Sequence, residues 1–162
     1  MTEIQNENPL IDPSVVDGPV AAPVVTIKPA VPDMGGFIWG TGRRKSSVAR
    51  VRVKPGNGQL MINKQQVHEY FSQEKDRNAV SSPLKATDTF GSLDVFVNVK
   101  GGGTTGQAGA AMLGIARALK NYDPNLMKQL RDGGYLTRDS RMVERKKPGK
   151  PGARKSFQFS KR

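Results

Sequence analysis

Cysteine is absent from the 162 residues of the chain, and histidine occurs only once, as His68. Without thiols the chain can form no disulfide scaffold, no thiol-based active site and no cysteine-ligated zinc site. A single histidine argues against a catalytic triad or a metal cluster that depends on this residue type. Apolar runs of the roughly 20 residues that a membrane helix needs are also missing. We therefore expect no catalytic residue, metal, cofactor, small-molecule substrate or membrane partner.

Acidic residues are scarce relative to basic ones. The chain has 14 Asp and Glu residues and 26 Lys and Arg residues, which gives a formal net charge of +12. A chain this positive repels itself unless a polyanion neutralises it, so the composition predicts a nucleic acid as the partner. The charge is uneven along the chain: residues 1–36 carry −4, residues 37–127 carry +7 and residues 128–162 carry +9.

The first 36 residues hold five of the acids and six of the 11 prolines. Each proline fixes its own φ and pushes the preceding residue toward an extended conformation, so no helix can run through this segment. We interpret residues 1–36 as a disordered, acidic, proline-rich extension. The segment lacks the basic start and continuous apolar core of a signal peptide, and it is too acidic for a typical transit peptide. A solvated arm without function is its simplest interpretation.

The other end of the chain is basic and poor in apolar residues. Residues 141–162 contain nine basic residues and a single acid, Glu144. Such a segment cannot bury enough surface to fold alone, so we expect residues 139–162 to be an extended tail that orders only on a partner. Fully extended, 22 residues reach about 70–80 Å. A basic run of this kind is typical of a nucleic-acid-binding arm, with a localisation signal or a solvated tail as the alternatives.

Three segments between the two arms have the patterns of β-strands. Residues 48–54 alternate basic with apolar side chains, which predicts a strand with one apolar face and one basic face. The turn-forming residues 55–58 and the apolar run 60–62 come next, and together they predict a hairpin. Residues 93–99 have the clearest strand pattern, and Phe96 on their second face indicates that both faces are at least partly covered.

Helical spacing of apolar residues occurs in the remaining segments. It predicts helices over 67–71, over 74–80, and over a longer stretch that ends at Asn121 and has an inward stripe of Ala108, Met112, Ile115 and Leu119. Asp123 is expected to cap a last helix, with Pro124 at its first position and glycines at 133 and 134 after its end. Strands and helices together predict a small α/β domain over residues 37–138, which is large enough for one core without disulfides.

A glycine-rich motif, Gly101-x-Gly103-x-x-Gly106, joins the third strand pattern to the long helix. It matches the dinucleotide-binding fingerprint, but that fold needs a parallel strand after the helix, and another helix is expected here. Gln107 and Ala108 stand where a phosphate-binding loop requires Lys and Ser or Thr. Two interpretations stay open: glycine backbone that approaches an RNA phosphate at a helix N-terminus, or glycines that let the helix pack closely on the sheet.

A basic cluster precedes the first strand pattern. Residues 43–47 read Arg-Arg-Lys-Ser-Ser, which favours a phosphate clamp on a strand edge, although a kinase site matches by composition alone. Phe37 and Trp39, just before the cluster, either stack on bases or belong to the core.

Several motifs occur in the order and with the spacing of one known family. They are residues 40–51 (Gly-Thr-Gly-Arg-Arg-Lys-Ser-Ser-Val-Ala-Arg-Val), 54–58, 100–103, 106–110, 114–119, 136–139, 144–147 and the ending Gln158-Phe159-Ser160-Lys161-Arg162. On these motifs, which together span about residues 37–162, the chain resembles bacterial small-subunit ribosomal protein nine.

The resemblance implies a structural protein of the small-subunit head in the cytoplasmic ribosome. The implied partners are 16S rRNA, the peptidyl-site tRNA and neighbouring head proteins. The implied fold is α/β (α+β): a small mixed four-stranded sheet with helices, like the second domain of small-subunit protein five. It includes a left-handed βαβ crossover, an exception to the usual handedness, and a long basic C-terminal tail.

The resemblance also implies site residues, together with the charge pattern. The expected rRNA-binding residues are Arg43, Arg44, Lys45, Ser46, Lys100, Gly101, Gly102, Gly103, Arg138, Arg141, Arg145, Lys146, Lys147, Lys150, Arg154 and Lys155. The expected tRNA-binding residues are Ser160, Lys161 and Arg162, at the tip of a tail that threads through RNA toward the peptidyl-tRNA site.

Two features depart from the family pattern. Residues 1–36 exceed the common N-terminus, and residues 148–157 carry fewer cations than many members have. Two other functions remain as alternatives to the ribosomal one. A free RNA- or DNA-binding regulator would share the charge pattern, and a phosphotransfer or nucleotide-dependent enzyme would need Lys and Ser or Thr after Gly106.

Overall fold

The computed structural model describes residues 31–161. In this part of the chain the elements are β1 (Ile38–Arg44), β2 (Ser47–Pro55), β3 (Leu60–Ile62), β4 (Gln65–Gln66), α1 (Val67–Tyr70), α2 (Glu74–Ala86), β5 (Leu93–Lys100), α3 (Thr104–Tyr122) and, after a 3-10 turn at Pro124–Leu126, α4 (Met127–Asp132). The predicted mixture of strands and helices is confirmed. Residues 1–30 and Arg162 lie outside the described residues, and so does most of the predicted acidic extension.

The strands form one mixed sheet in the order β1-β2-β5-β3-β4. β2 pairs antiparallel with both β1 and β5, whereas β5 pairs parallel with β3. The predicted hairpin between residues 48–54 and 60–62 is therefore wrong, because β5 lies between these strands. The resemblance implied four strands, and the described sheet has five because the two-residue strand β4 extends its edge. The handedness of the crossover from β3 to β5 stays a prediction.

The hairpin that the structure does contain is β1–β2, and the basic cluster forms its turn. Arg44 pairs with Ser47 across the hairpin, which leaves Lys45 and Ser46 as the two turn residues. Lys45 has a φ of 51°, in the left-handed region that tight turns require. Sequence patterning missed β1 because glycine at positions 40 and 42 weakens the strand signal.

The core lies between one face of the sheet and the helices α2 and α3. Every second side chain of β2 and β5 points into it, as the alternation predicted: Ala49, Val51, Val53, Val95, Val97 and Val99 are buried. Three of the four predicted stripe residues of α3 are also buried, and the fourth, Met112, is half-buried. The fold therefore has two layers, and the second face of the sheet carries no helix among the described residues.

Helix α2 continues to Ala86, past residue 80 where the prediction ended. Pro83 lies inside it and lacks the N–H that would have bonded the carbonyl of Ala79. The hydroxyl of Ser82 donates a hydrogen bond of 2.9 Å to that carbonyl oxygen. This local replacement explains how the helix passes the proline, and Val80 and Leu84 are buried on either side of it.

The end of the folded region follows the sequence expectation closely. The carboxylate of Asp123 accepts a hydrogen bond of 2.9 Å from the backbone N–H of Asn125, with Pro124 at the first position of the turn. The first turn is a 3-10 turn and the α-helix proper begins at Met127. Gly133 caps that helix, and Gly134 has a φ of 72°. Residues 135–161 then form no helix or strand.

A backbone-to-backbone contact joins β1 to α3. A Cβ atom placed on Gly42 would lie 2.0 Å from the carbonyl oxygen of Ala110 and 2.4 Å from the nitrogen of Gly114. A Cβ atom on Gly40 would lie 2.3 Å from the carbonyl oxygen of Gly114. Because the obstructing atoms belong to the helix backbone, no side-chain rotation can relieve such a clash. Glycine at these positions allows the helix to lie directly on the strand.

We expect Gly42→Ala to destabilise the fold by about 1–3 kcal/mol or more, because the new methyl group must push β1 away from α3. Gly152→Ala is the matched control, since its Cβ would meet only ordinary contacts at 3.5 Å or more in the tail. Urea unfolding followed by circular dichroism measures both variants. Equal unfolding midpoints for Gly42→Ala and the unmodified chain would contradict the contact.

Candidate nucleic-acid interface

Three parts of the fold meet at one edge of the domain: the β1–β2 turn, the C-terminal end of β5 and the N-terminus of α3. They surround an open cleft of about 240 Å³, which we call the phosphate cleft, lined by Lys45, Ser46, Ser47 and residues 102–106. Four of the predicted rRNA-binding residues, Lys45, Ser46, Gly102 and Gly103, are thus brought together. Lys100 and Gly101 lie beside the cleft, because Lys100 pairs with Val48 at the start of β2.

The phosphate cleft contains the N-terminus of a 19-residue helix. The first turn of any α-helix leaves its N–H groups without acceptors inside the helix. In α3 the preceding residue is Gly103, which has no side chain to cap them, and the first turn holds no acid. The N–H groups of Thr104, Thr105 and Gly106 and the positive end of the helix dipole are therefore available to an anion.

The glycines of this loop serve close packing as well as access. Gly101 and Gly102 have φ values of 71° and 66°, which side chains rarely adopt. A Cβ atom on Gly102 would lie 2.1 Å from the hydroxyl of Ser47, whereas one on Gly103 would meet nothing within 4 Å. The two interpretations of the motif thus apply to different glycines: Gly102 packs against β2, and Gly103 borders open space.

A chain of polar side chains holds the loop in place. The hydroxyl of Ser47 donates to the carbonyl oxygen of Gly101 at 3.0 Å, and the side-chain amide of Gln107 donates to the same oxygen at 3.1 Å. Tyr70 donates in turn to Gln107 at 2.7 Å, and Asn63 lies 3.4 Å from the Tyr70 hydroxyl. This network orders the loop before any ligand arrives, which lowers the entropic cost of binding.

A buried carboxylate lies behind the cleft. Asp76 in the first turn of α2 is buried and accepts a hydrogen bond of 3.2 Å from the hydroxyl of Thr105. This bond ties the starts of α2 and α3 together.

Arg44 has internal partners, in contrast to its neighbours Arg43 and Lys45. Its guanidinium donates to the carbonyl oxygen of Thr105 at 3.1 Å and to the carboxylate of Asp139 at 3.1 Å. Arg43 and Arg44 line a second cavity of about 240 Å³, together with Thr137, Asp139 and Arg141. A role for Arg44 in RNA binding stays a prediction, and in this structure the residue anchors the start of the tail.

Asp139 forms an ion-paired anchor with two arginines. It accepts hydrogen bonds from the side chain and the backbone N–H of Arg141, in addition to the bond from Arg44. These bonds, with those from Arg141 the strongest, hold the pKa of Asp139 far below its usual range. The same carboxylate raises the pKa of Arg141. Sequence reasoning missed Asp139, although an acid within a strongly basic segment was the available signal.

The tail beyond this anchor is exposed. The predicted rRNA-binding cations at its surface are Arg138, Arg141, Arg145, Lys146, Lys147, Lys150, Arg154 and Lys155. Two of them share Glu144, the single acid after Asp139: its carboxylate accepts from Arg154 at 2.8 Å and lies 3.2 Å from Lys147. These bonds, with that from Arg154 the stronger, lower the pKa of Glu144. At the tip, Ser160 and Lys161 are exposed, and Arg162 lies outside the described residues.

No group of three or more His, Asp or Glu residues within 31–161 could hold a metal ion. No helix in this range is long and apolar enough to span a membrane. The element after α3 is helical, as the sequence predicted, so the glycine motif lacks the following strand that a dinucleotide fold requires.

The Asp139 anchor predicts a pH-dependent release of the tail. The pKa of the Asp139 carboxyl is lower in the folded protein than its usual value of 3.8. The contribution of the ionised carboxylate to holding the tail is therefore complete above pH 3.8 and is lost as the pH falls below that value. Asp139→Asn should remove this contribution at all pH values and speed trypsin cleavage after Arg141 severalfold. The control is Asp132→Asn, at the exposed end of α4.

Nuclear magnetic resonance of the backbone amides during an acid titration checks the release of the tail. As the pH is lowered, the signals of tail residues should shift before those of the buried β5 residues. Identical trypsin cleavage of Asp139→Asn and Asp132→Asn would show that the anchor does not hold the tail.

Comparison with known proteins gives consistent matches. The family described as "Ribosomal protein S9/S16" matches residues 42–162. The chain is 54% identical over 129 residues to the "Small ribosomal subunit protein uS9" of Rhodopirellula baltica, which covers 80% of this chain and 94% of that protein. It is also 54% identical over 130 residues to the "Small ribosomal subunit protein uS9m" of Arabidopsis thaliana, covering 80% of this chain but only 30% of that protein.

The family match includes the β1–β2 turn, the glycine loop, α3 and the tail, so it covers every part of the interface described above. It extends over about three quarters of the chain. The chain belongs to the ribosomal protein S9/S16 family, whose members are structural and non-enzymatic.

Proposed function

We propose that the chain is a structural constituent of the small ribosomal subunit, acting in translation in the cytoplasmic ribosome. In this proposal its domain, residues 37–138, binds 16S rRNA in the subunit head beside neighbouring head proteins. The observation that carries the proposal is the phosphate cleft, where Lys45, Ser46 and the N-terminus of α3 converge beside the glycine loop. The relatives named as small-subunit proteins support the same assignment.

The phosphate cleft suits an RNA phosphate for three reasons. The free N–H groups at the start of α3 can donate to phosphate oxygens, and the helix dipole favours negative charge there. The ammonium group of Lys45 and the hydroxyl of Ser46 are exposed at its rim. Contacts to phosphate are independent of base sequence, so this site positions the protein on RNA without reading its sequence.

The tail, residues 139–162, has the highest density of positive charge, with nine basic and two acidic residues in 24. Residues 128–162 carry a net charge of +9, and the described tail residues form no helix or strand that could bury their side chains. Such cations neutralise closely spaced phosphates and release condensed counterions, which makes binding strongly salt-dependent. The Asp139 anchor fixes where the tail leaves the domain, and we propose that the remainder orders on rRNA.

The tip of the tail is the proposed tRNA contact. Ser160, Lys161 and Arg162 end the chain, beyond a segment long enough to reach well away from the domain. An exposed Lys and a terminal Arg can each donate charge-assisted hydrogen bonds to a tRNA phosphate. We propose that this tip contacts the peptidyl-site tRNA.

Replacing Lys45 tests the phosphate cleft. Lys45→Gln should weaken binding to a transcript of the 16S rRNA head region and lower the slope of log K against log salt by about 1, because one phosphate contact is lost. Lys128→Gln on α4 removes the same charge away from the cleft and is the control. A slope unchanged by Lys45→Gln, or equally lowered by both variants, would contradict the cleft assignment. Failure of the protein to sediment with small subunits would favour a free RNA-binding regulator.

Removing the last two residues tests the tip. Deletion of Lys161 and Arg162 should leave subunit assembly unchanged, because only two of 26 cations are lost. It should speed tRNA dissociation from purified subunits by a few-fold to about tenfold, because two charge-assisted contacts to tRNA are lost. Screening by salt and by the surrounding RNA keeps the effect within this range. The control, Lys128→Gln with Arg131→Gln, removes equal charge from α4. Unchanged tRNA dissociation refutes the terminal role, whereas failed assembly would make the tip an assembly element.

A further inference from the structure

The sheet face opposite α2 and α3 carries a continuous row of flat side chains, which we call the open face. Strand register places Trp39 of β1 opposite Arg52 of β2, Arg52 opposite Phe96 of β5, and Phe96 opposite Met61 of β3. Side chains of directly paired residues project from the same face of a sheet. The row therefore crosses four strands, with an indole ring on β1, a guanidinium group on β2, a phenyl ring on β5 and a thioether on β3.

The rings and the guanidinium groups of this face contact one another. The guanidinium carbon of Arg52 lies 5.1 Å from the Phe37 ring centre and 5.2 Å from that of Phe96. The two phenyl rings meet edge to face at 6.1 Å. Arg50 lies 5.6 Å from the Trp39 ring centre in the same way. These contacts hold the side chains ready before any partner binds, while 39% of Trp39 stays exposed.

Within residues 31–161, the two arginines of the open face have no acidic partner, whereas Lys54, which lies over the same Phe37 and Phe96 rings, forms an ion pair of 3.9 Å with Asp94. Among the described residues, neither Arg50 nor Arg52 forms an ion pair, and the Nε of Arg52 has no hydrogen-bond partner. Asp94 of β5 is buried and also accepts bonds from the backbone N–H groups of Asn57 and Gln59, so it is not free to pair with the arginines. The carboxylate of Asp33 lies at the edge of this face, where it accepts a bond of 3.4 Å from the indole N–H of Trp39. The unpaired Arg50 and Arg52, beside the exposed Trp39 ring and the partly exposed Phe37 and Phe96 rings, therefore suit an external anion that is also flat.

Unpaired RNA combines these two properties. Its bases stack on aromatic rings and on the guanidinium plane of arginine, and its phosphates pair with the same cations. Duplex RNA hides its base faces and does not use such rings. A pocket of about 180 Å³ beside Phe96, lined by Met61, Lys64 and Asn98, extends the surface along the row.

We infer that the open face is a second RNA site, which binds unpaired nucleotides by stacking on Trp39 and on the Arg52–Phe96 pair. The inference rests on the proposed function for the identity of the partner, but it concerns a separate surface. The phosphate cleft reads only the RNA backbone, whereas the open face selects single-stranded segments. An acidic protein segment is the competing occupant, because it would pair with the same cations without stacking.

Trp39 is the only tryptophan of the chain and reports directly on this surface. Titrating the full chain with an eight-nucleotide oligouridylate should quench its fluorescence. A polyphosphate of equal charge, which engages the tail and the phosphate cleft, should bind without quenching. Equal quenching by oligoglutamate would overturn stacking in favour of an acidic protein partner, and RNA binding without quenching would overturn the site.

Arg52→Lys keeps the charge and removes the planar guanidinium, so oligouridylate affinity measured by anisotropy should fall about threefold to tenfold. Affinity for polyphosphate should not change. Trp39→Ala should have an effect of similar size, and Arg131→Lys on α4 is the matched control, with circular dichroism confirming that each variant folds. Oligouridylate affinity equal to that of the control refutes the open-face site while leaving the proposed function standing. If the unmodified chain bound no RNA at all, that result would instead contradict the proposed function.

Discussion

The close contact between β1 and α3 is the constraint on which the rest of the structure depends. Glycines at positions 40, 42 and 114 allow the strand backbone to touch the helix backbone, and any side chain there would separate the two layers. Because β1 continues into the basic turn and α3 begins at the glycine loop, their separation sets the width of the phosphate cleft. A packing requirement in the core thus determines the geometry of a surface site.

The same arrangement separates basic residues that form bonds within the protein from those that stay exposed to a binding partner. Arg44 is drawn inward to Thr105 and Asp139, and it fixes both the helix start and the origin of the tail. Lys45, one residue later, points outward because the tight turn reverses the chain. Charge alone cannot separate these roles, since two adjacent cations differ only in the partners that folding brings to them.

The two layers also leave two surfaces with different chemistry. On the helical side, glycine backbone and a helix N-terminus offer N–H donors and suit phosphate. On the open side, rings and guanidinium groups form a flat and positive surface. The three RNA contacts that we propose, at the edge, the sheet face and the tail, would each use a different physical property of RNA.

The sequence by itself determined the local and compositional features. Four features could be predicted because each depends on neighbouring residues: the alternation of β2 and β5, the helical stripe of α3, the Asp123 cap and the basic tail. The order of the motifs was enough to recognise the family. The strand order could not be predicted, since a turn at 55–58 is compatible with a hairpin, and only long-range packing inserts β5 between β2 and β3. Tertiary structure likewise decided that Arg44 is engaged and that Trp39, Arg52 and Phe96 align, because these contacts join residues far apart in the chain.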